Sequence, residues 1–336
     1  MVDGRNAPRI LDVARVAGVS RAAVSKVLRD AYGVSPEMRE KVNKAVAELG
    51  YRPRLAARAM RGQSFTVGIG YSDFGNPFFT RMLSGALAAL SDTPYQVVIA
   101  PAEEGERQGI EAMDSLVDRQ VDGILAVSPR VPQADIERIA GQMPVVMFGR
   151  HDNSAAYDAV VGDDARGTAA ALQHLADLGH QRIAHLTVVA ADTRGDTAHG
   201  IRLREYRRFM DRPGMAQPQV IRTNEGQDAA YEVMVEAIGA GADFTAVFAA
   251  HDDLAIGALT AVRELRPDIS VVGYDDIPIA RNPAFGLTTV HQPGVEMGAR
   301  AAALLLERVE GRDEAVHEMF SPELRVRRSS FPPALP

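Results

Sequence analysis

LDVARVAGVSRAAVSKVL, residues 11–28, decides how the start of this chain folds. Leu11, Val13, Ala14 and Ala17 recur at helical spacing and leave Asp12, Arg15 and Val16 on the flanks. Gly18 interrupts the run, Val19 is expected to turn back toward the core, and Ser20 is a good N-cap for a second helix. That helix is expected to bury Val24, Val27 and Leu28 and to point Arg21, Ala22, Ser25 and Lys26 outward. The two helices approach closely, so Ala14 at the crossing must be small, and Gly18 takes a backbone conformation that a Cβ would hinder. Two short helices joined in this way are a helix-turn-helix, and the outer face of the second is the kind that enters a DNA major groove.

Working outward, Ser35-Pro36-Glu37 is a helix start with an N-cap, proline at the first position and an acid in the first turn. The helix it opens carries Val42, Ala45, Val46 and Leu49 on one face and ends at Gly50, completing a small three-helix domain. After Tyr51-Arg52-Pro53, LAARAMRG offers two helical turns that are too short and too basic to be stable alone, so it is expected to order against a partner. Residues 1–62 hold 13 Arg and Lys against 6 Asp and Glu, whereas the remainder holds 24 against 38. The net charge of −7 therefore averages a basic end and an acidic body, which suits phosphate binding by one end only.

At 336 residues, the chain has room for two or three domains. It has no cysteine, which excludes disulfides, thiolate zinc sites and cysteine catalysis. MVDGRNAPRI has no apolar core of a signal peptide, and no apolar run approaches the roughly 18 residues of a membrane span. A soluble cytoplasmic protein with no membrane partner is the expectation.

From Thr66 onward, strands alternate with helices. TVGIGY, QVVIAP, GILAV and PVVMF read as strands, with helices from Asn76-Pro77 to Leu90, Gly105 to Asp118 and over ADIERIA. A second series begins near Asp163 with a helix to Leu178, then RIAHLTVV, a helix from about His199 to Met210, QVIRT, a helix from Gln227, TAVFAA, a helix from Asp252 to Leu265 and SVVGY. Pro293 to Glu310 is one further amphipathic helix, and the closing SSFPPALP cannot form a coiled coil. This rhythm implies an α/β body of two doubly wound parallel-sheet subdomains behind an all-α helix-turn-helix head.

The order of these parts resembles the lactose/purine-repressor (LacI/GalR) family over about residues 9–329. The resemblance rests on residues 11–28 together with VSPEMREKV, AELGYRPRLAARAM, NPFF at 76–79, VDGIL at 121–125, HLADLGHQRIAHL at 174–186, HDDLAIGAL at 251–259, VVGYDDIPIA at 271–280 and LTTVHQP at 287–293. It implies a homodimeric repressor that binds double-stranded operator DNA, with a periplasmic-binding-protein-like body holding a small-molecule effector between its subdomains. It also implies three crossings between subdomains. The expected division is a head over 1–52, a hinge helix and linker over 53–65, one subdomain of 66–162 with 292–318, and another of 163–291 with 319–330.

By the family pattern, Arg21, Ala22 and Lys26 read base edges, and the chemistry agrees, since Arg or Lys suits guanine and Ala offers a methyl contact to thymine. Ser20, Ser25 and Arg39 suit phosphates, which set register without specifying sequence. Pro53 to Met60 matches the hinge helix that the family inserts in the minor groove. Met60 stands there in place of the usual leucine wedge, with Arg54 and Arg58 available to phosphates or the groove floor. Arg29 stands where the family often has Asn.

For the effector, Arg202 matches the arginine of the family's RLxGF run and Asp275 the GYDD aspartate. A guanidinium and a carboxylate converging on one cleft suit a polyol. Phe78 and Phe79 match apolar positions facing the ligand, and Ser72, Arg150 and His251 occupy further cleft positions. Glu205 replaces the glycine of RLxGF, Glu225 stands near the place of a stacking aromatic, and His251 replaces a common asparagine. These departures make the pocket more polar, and a sugar or sugar derivative is favoured over a nucleobase or nucleoside.

Other features read as structural. His174, His180 and His185 lack metal-ligand spacing, Asp252 reads as an N-cap, and Asp163-Asp164 simply precedes a helix. GIGYSDFG has Asp73 where a dinucleotide fingerprint needs its third glycine, and G-x-S-x-G is absent. No enzyme, cofactor or metal is therefore expected.

Overall fold

The computed structural model describes residues 8–28, 31–51, 63–71, 75–102, 106–129, 131–189 and 196–334. It divides into two units, Met1–Ser64 and Phe65–Pro336.

The first unit contains α1 (Ile10–Ala17), α2 (Arg21–Val27) and α3 (Pro36–Leu49). Ser20 and Ser35 cap α2 and α3, each hydroxyl accepting from the backbone N–H three residues on, at 3.1 and 3.2 Å. Gly18 and Gly50 end α1 and α3 at φ of 66° and 59°, the left-handed conformation that glycine adopts without penalty. Val13, Ala14, Val24, Val27, Val42 and Ala45 form the core, with Val19 and Leu28 packed against it. Leu11 departs from the expected pattern and is 61% exposed. The helix begins at Ile10, where the Arg9 N–H donates to Asp12. The buried stripe is then Ile10, Val13, Ala14 and Ala17, which rotates Leu11 to the outside.

The second unit opens with β1 (Thr66–Tyr71), α4 (Pro77–Leu90), β2 (Gln96–Pro101), α5 (Glu106–Asp118), β3 (Gly123–Val127), α6 (Gln133–Ala140), β4 (Val145–Phe148) and β5 (Asp158–Gly162). It continues with α7 (Asp164–Asp177), β6 (Ile183–Val188), α8 (Ala198–Met210), β7 (Gln219–Thr223), α9 (Gln227–Gly239), β8 (Ala246–Ala249), α10 (Asp252–Leu265) and β9 (Ser270–Asp275). Last come β10 (Thr288–His291), α11 (Gly294–Val309), β11 (His317–Phe320) and β12 (Glu323–Arg325). The strands form two six-stranded sheets, in the orders β11-β5-β4-β3-β1-β2 and β12-β10-β9-β8-β6-β7. Every pairing is parallel except β10 with β12. β1, β3, β4, β6, β8 and β9 are buried along their whole length, as strands covered by helices on both faces must be.

After β10 ends in the second sheet, α11 returns to pack on α4 in the first. Two glycines permit this contact: a Cβ on Gly85 would lie 1.9 Å from the Val295 carbonyl oxygen, and one on Gly298 1.9 Å from that of Met82. β11 then joins the first sheet beside β5, and β12 joins the second beside β10. The strands β5, β10, β11 and β12 are not expected from the sequence. In β5 the apolar run is led by a fully buried Asp158, whose carboxylate accepts from Arg308 Nε at 2.9 Å, Arg312 Nη2 at 2.5 Å and the Val316 N–H at 2.9 Å. The other three strands are only three or four residues long. They are recruited by their neighbours rather than by any alternation of their own.

Candidate DNA-reading helix and effector cleft

On the head, Arg21, Ala22 and Lys26 are exposed along α2, and Ser25 and Arg39 are half-buried. Ser20 is exposed, but its hydroxyl oxygen is already the cap of α2. Buried Val24 and Val27 fix the rotation of the helix, and that rotation turns Arg21, Ala22 and Lys26 outward together. Arg54, Arg58 and Met60 lie outside the described residues, as do Arg29 and Ser72.

In the body, the chain past the carboxyl ends of the strands supplies the site, as in other open α/β sheets. Arg150 follows β4, Asp164 follows β5, Glu225 follows β7 and His251 follows β8, while Asp275 ends β9 and Gln292 follows β10. His199 and Arg202 are three residues apart on the first turns of α8 and so share a face.

Arg202 is the hub. It is 4% exposed, and its Nη2 lies 2.7 Å from Asp164 Oδ1 and 3.8 Å from Asp275 Oδ1. Its Nη1 donates to the Ala250 carbonyl at 2.5 Å, and its guanidinium carbon stands 3.6 Å over the Tyr274 ring. Asp164 also accepts from His151, with Nε2 2.8 Å from Oδ2, and Asp275 accepts from the Gln292 amide at 2.8 Å. Burial pushes the Asp164 carboxyl up, but Arg202 and His151 together hold it below its ordinary value. Asp275 goes the other way: burial dominates, and Arg202, His251 and Gln292 offset only part of it.

Two contacts tie the halves of the body together beside this hub. Arg150, on the first half, is 3% exposed and pairs with Asp196 on the second at 2.9 Å. It also pairs with Asp152 at 3.1 Å and bridges Thr197 through the backbone. Arg81, on α4, donates to the Asp276 carbonyl at 3.1 Å.

His251 and Glu225 form a third group. Nε2 of His251 lies 2.9 Å from Glu225 Oε2, and its ring meets that of His199 edge-on, with centroids 5.4 Å apart. Burial lowers the basicity of His251, but Glu225 more than reverses this, so its pKa is raised. His199, desolvated and beside His251, is pushed down to about 3.

The expected site residues therefore fall into separate roles. Arg202 and Asp275 are brought together; Glu225 and His251 pair with each other; Arg150 is committed to an ion-pair link between the halves. Phe78 is buried against Phe148 and Gly294, and Phe79 is half-buried beside the same Phe148. Glu205 pairs within its own helix, 2.6 Å from Arg208.

Asp252 is not the cap of α10. His251 is, its Nδ1 3.5 Å from the Leu254 N–H, and the Asp252 carboxylate instead accepts from the Ile277 N–H at 2.8 Å and the Thr289 hydroxyl at 2.5 Å. His174 and His180 bond to Ser330, Thr245 and the Phe331 carbonyl, and His185 to the Phe248 carbonyl. Sequence reasoning missed Asp164, His151, His199, Tyr274 and Gln292. Of these, His199 was within reach, because it stands one helical turn before Arg202.

Residues 9–54 match the family described as bacterial regulatory proteins, lacI family, and residues 172–330 match the periplasmic binding protein-like domain. The chain is 30% identical to the ribose operon repressor of Escherichia coli (strain K12), over 96% of this chain and 97% of that protein. A crystal structure of the Lac repressor dimer bound to operator and the anti-inducer ONPF superposes with a TM-score of 0.81 at 25% identity, covering 97% of this chain and all of that one. A transcriptional regulator CelR–cellobiose complex gives a TM-score of 0.70 at 31% identity, covering 96% of this chain and all of that one.

Proposed function

The chain belongs to the LacI family of bacterial regulatory proteins, and from that premise we propose that it is a transcriptional repressor whose operator affinity is switched by a sugar or sugar-derived effector. The observation that carries this reading is the buried Arg202–Asp164–Asp275 cluster at the strand ends. A guanidinium and carboxylates held in fixed geometry can donate to and accept from neighbouring hydroxyls, and such sites recognise polyols. The relatives add weight, one named for ribose and another solved with cellobiose.

The repressor acts as a homodimer on a pseudopalindromic operator. Its heads occupy residues 1–52, joined through 53–65 to a body whose subdomains are 66–162 with 292–318 and 163–291 with 319–330. Arg21, Ala22 and Lys26 read base edges; Ser20, Ser25 and Arg39 hold phosphates; and Arg54, Arg58 and Met60 engage the minor groove. Ser72, Phe78, Phe79, Arg150, Arg202, Glu225, His251 and Asp275 line or support the effector site. An effector there competes with, or strengthens, contacts such as Arg150–Asp196 that join the subdomains, and so shifts their relative orientation. The protein works by binding and carries out no catalytic turnover. No described helix is long and apolar enough to cross a membrane.

The test has two arms, both on the purified full chain. Fluorescence anisotropy with promoter fragments near its own gene should show salt-sensitive, sequence-selective binding. Calorimetry against sugars, sugar acids and nucleosides should give heat with a sugar or sugar acid that also changes operator affinity. Failure to bind any such fragment selectively, with or without metabolites, refutes the repressor. Binding of nucleosides alone refutes the sugar.

A further inference from the structure

We propose that His199, Glu225 and His251 form a site for a divalent first-row transition cation of the Zn2+ class. Cation binding itself does not depend on the repressor reading; only its consequence for the effector does. The three residues come from the start of α8, the loop before α9 and the cap of α10, so the fold converges them from three separate segments. One ligand atom from each lies within 4.8 Å of the other two.

Donors to a tetrahedral ion at about 2.1 Å stand about 3.4 Å apart, so side-chain rotations of about an ångström close the site. His251 Nε2 and Glu225 Oε2, at 2.9 Å, are already nearer than that and would part slightly as the ion enters. His251 presents Nε2 to the cluster, and its Nδ1 accepts from the Leu254 N–H at a long 3.5 Å, a contact that opens when Nε2 ligates the ion and Nδ1 carries the remaining ring proton. His199 Nδ1 is buried and has no hydrogen-bond partner among the described residues.

The donor set selects the metal. Two imidazoles and one carboxylate suit Zn2+ and its first-row neighbours, whereas Mg2+ and Ca2+ prefer oxygen throughout. Three protein ligands leave at least one position open, the arrangement of a site that takes water or a substrate oxygen rather than a closed structural site. The opening is on the Glu225 side, where that side chain is 34% exposed while His251 is 4% exposed. Ligation through Nε2 leaves one ring proton on Nδ1, so an imidazolium His251 releases one proton per ion and a neutral ring releases none. His199 and Arg202 are one turn apart on the same face of α8. An effector offering a hydroxyl or carboxylate oxygen to Arg202 could ligate the ion as well.

Co2+ titration of the chelator-stripped full chain, with Zn2+ as competitor, tests this through the visible ligand-field bands of bound Co2+. One saturable equivalent with a dissociation constant of about 100 µM or tighter is expected, weakened about 100-fold by Glu225→Gln and by His199→Ala. His174→Gln should leave it unchanged. Should His199→Ala fail to fold by thermal melting, Glu225→Gln decides alone, since its side chain is partly exposed. Weaker binding, or binding that Glu225→Gln does not diminish, overturns the proposal. Anisotropy on the operator with and without Zn2+ separates the two ideas. Selective DNA binding without the cation site refutes only this inference, and a cation site without selective DNA binding refutes only the repressor.

Discussion

Replacing Arg202 by Met keeps the bulk of the side chain and removes its charge. It leaves the Asp164 carboxylate, 3% exposed, with His151 as its remaining side-chain partner among the described residues, and strips the Ala250 carbonyl of its donor. Breaking a buried ion pair by deleting one partner costs about 3–5 kcal/mol. Asp164→Asn keeps an acceptor for Arg202 and should cost less, about 1–3 kcal/mol. The double variant should then fall short of the sum of the singles by about 2 kcal/mol, because the uncompensated charge is gone.

The assay is equilibrium urea unfolding of the body, followed by circular dichroism because the chain has no Trp. A pH series supplies the sharper check. In the parent, Asp164 has a depressed pKa, so its contribution is present above the ordinary carboxylate value and lost as pH falls through the folded value. In Arg202→Met, burial acts on Asp164 with little to oppose it and its pKa rises, so the penalty is largest at neutral pH and fades toward acid. The gap between parent and variant must narrow as pH drops from about 7 to about 5. A cost under about 1 kcal/mol, an additive double variant or a gap independent of pH would refute the assignment of Arg202 as the counter-charge of this cluster.

Burial holds His185 down to about 4. Its stabilising contribution should therefore be complete above about 6.5 and decline by about 3 kcal/mol as pH falls to about 4, measured as unfolding free energy, and His185→Phe should flatten that limb. Gly298→Ala puts a Cβ 1.9 Å from the Met82 carbonyl oxygen, forcing α4 and α11 apart at a cost of about 3 kcal/mol or more; an unchanged melting temperature would count against that contact. On the head, Lys26→Ala should change which operator bases are preferred by about 1–3 kcal/mol in binding-site selection. Arg39→Ala should instead weaken all sequences alike and lower the salt slope by about one.

Much of the architecture was legible because it rests on local chemistry. Gly18 and Gly50 ended helices where those ends were expected, and Ser20, Ser35 and Asn76 capped the helices that follow them. The apolar runs of β1, β3 and β9 needed no partner to be recognised. What escaped was set by tertiary partners. Asp158 reads as a polar interruption until Arg308 and Arg312, some 150 residues later, arrive to neutralise it. Asp164 reads as an acid just before a helix, and nothing nearby in the chain announces Arg202. The misassignment of Asp252 has the same cause, since the acceptor of the Ile277 and Thr289 donors cannot be seen from helix-start chemistry. Arg202 and Asp275 were found through family motifs rather than through any local rule.

The site also shows where this body tolerates conditions that its cores do not. Asp164, Asp252 and Asp275 are all buried, and the Arg202 guanidinium contacts two of them. The third, Asp252, is held by two hydrogen bonds and has its pKa raised well above the ordinary value by burial and by Asp275. Asp275 and Asp276 take φ of 107° and 52°, a region that non-glycine residues enter at a cost of about 1–3 kcal/mol each. Elsewhere the body behaves oppositely, with Asp158 answered by two arginines and a backbone N–H. Buried carboxyls raised by desolvation and a strained backbone meet at the end of β9, where an open sheet binds ligands, and a ligand that changes how those groups are paired changes the balance of the site.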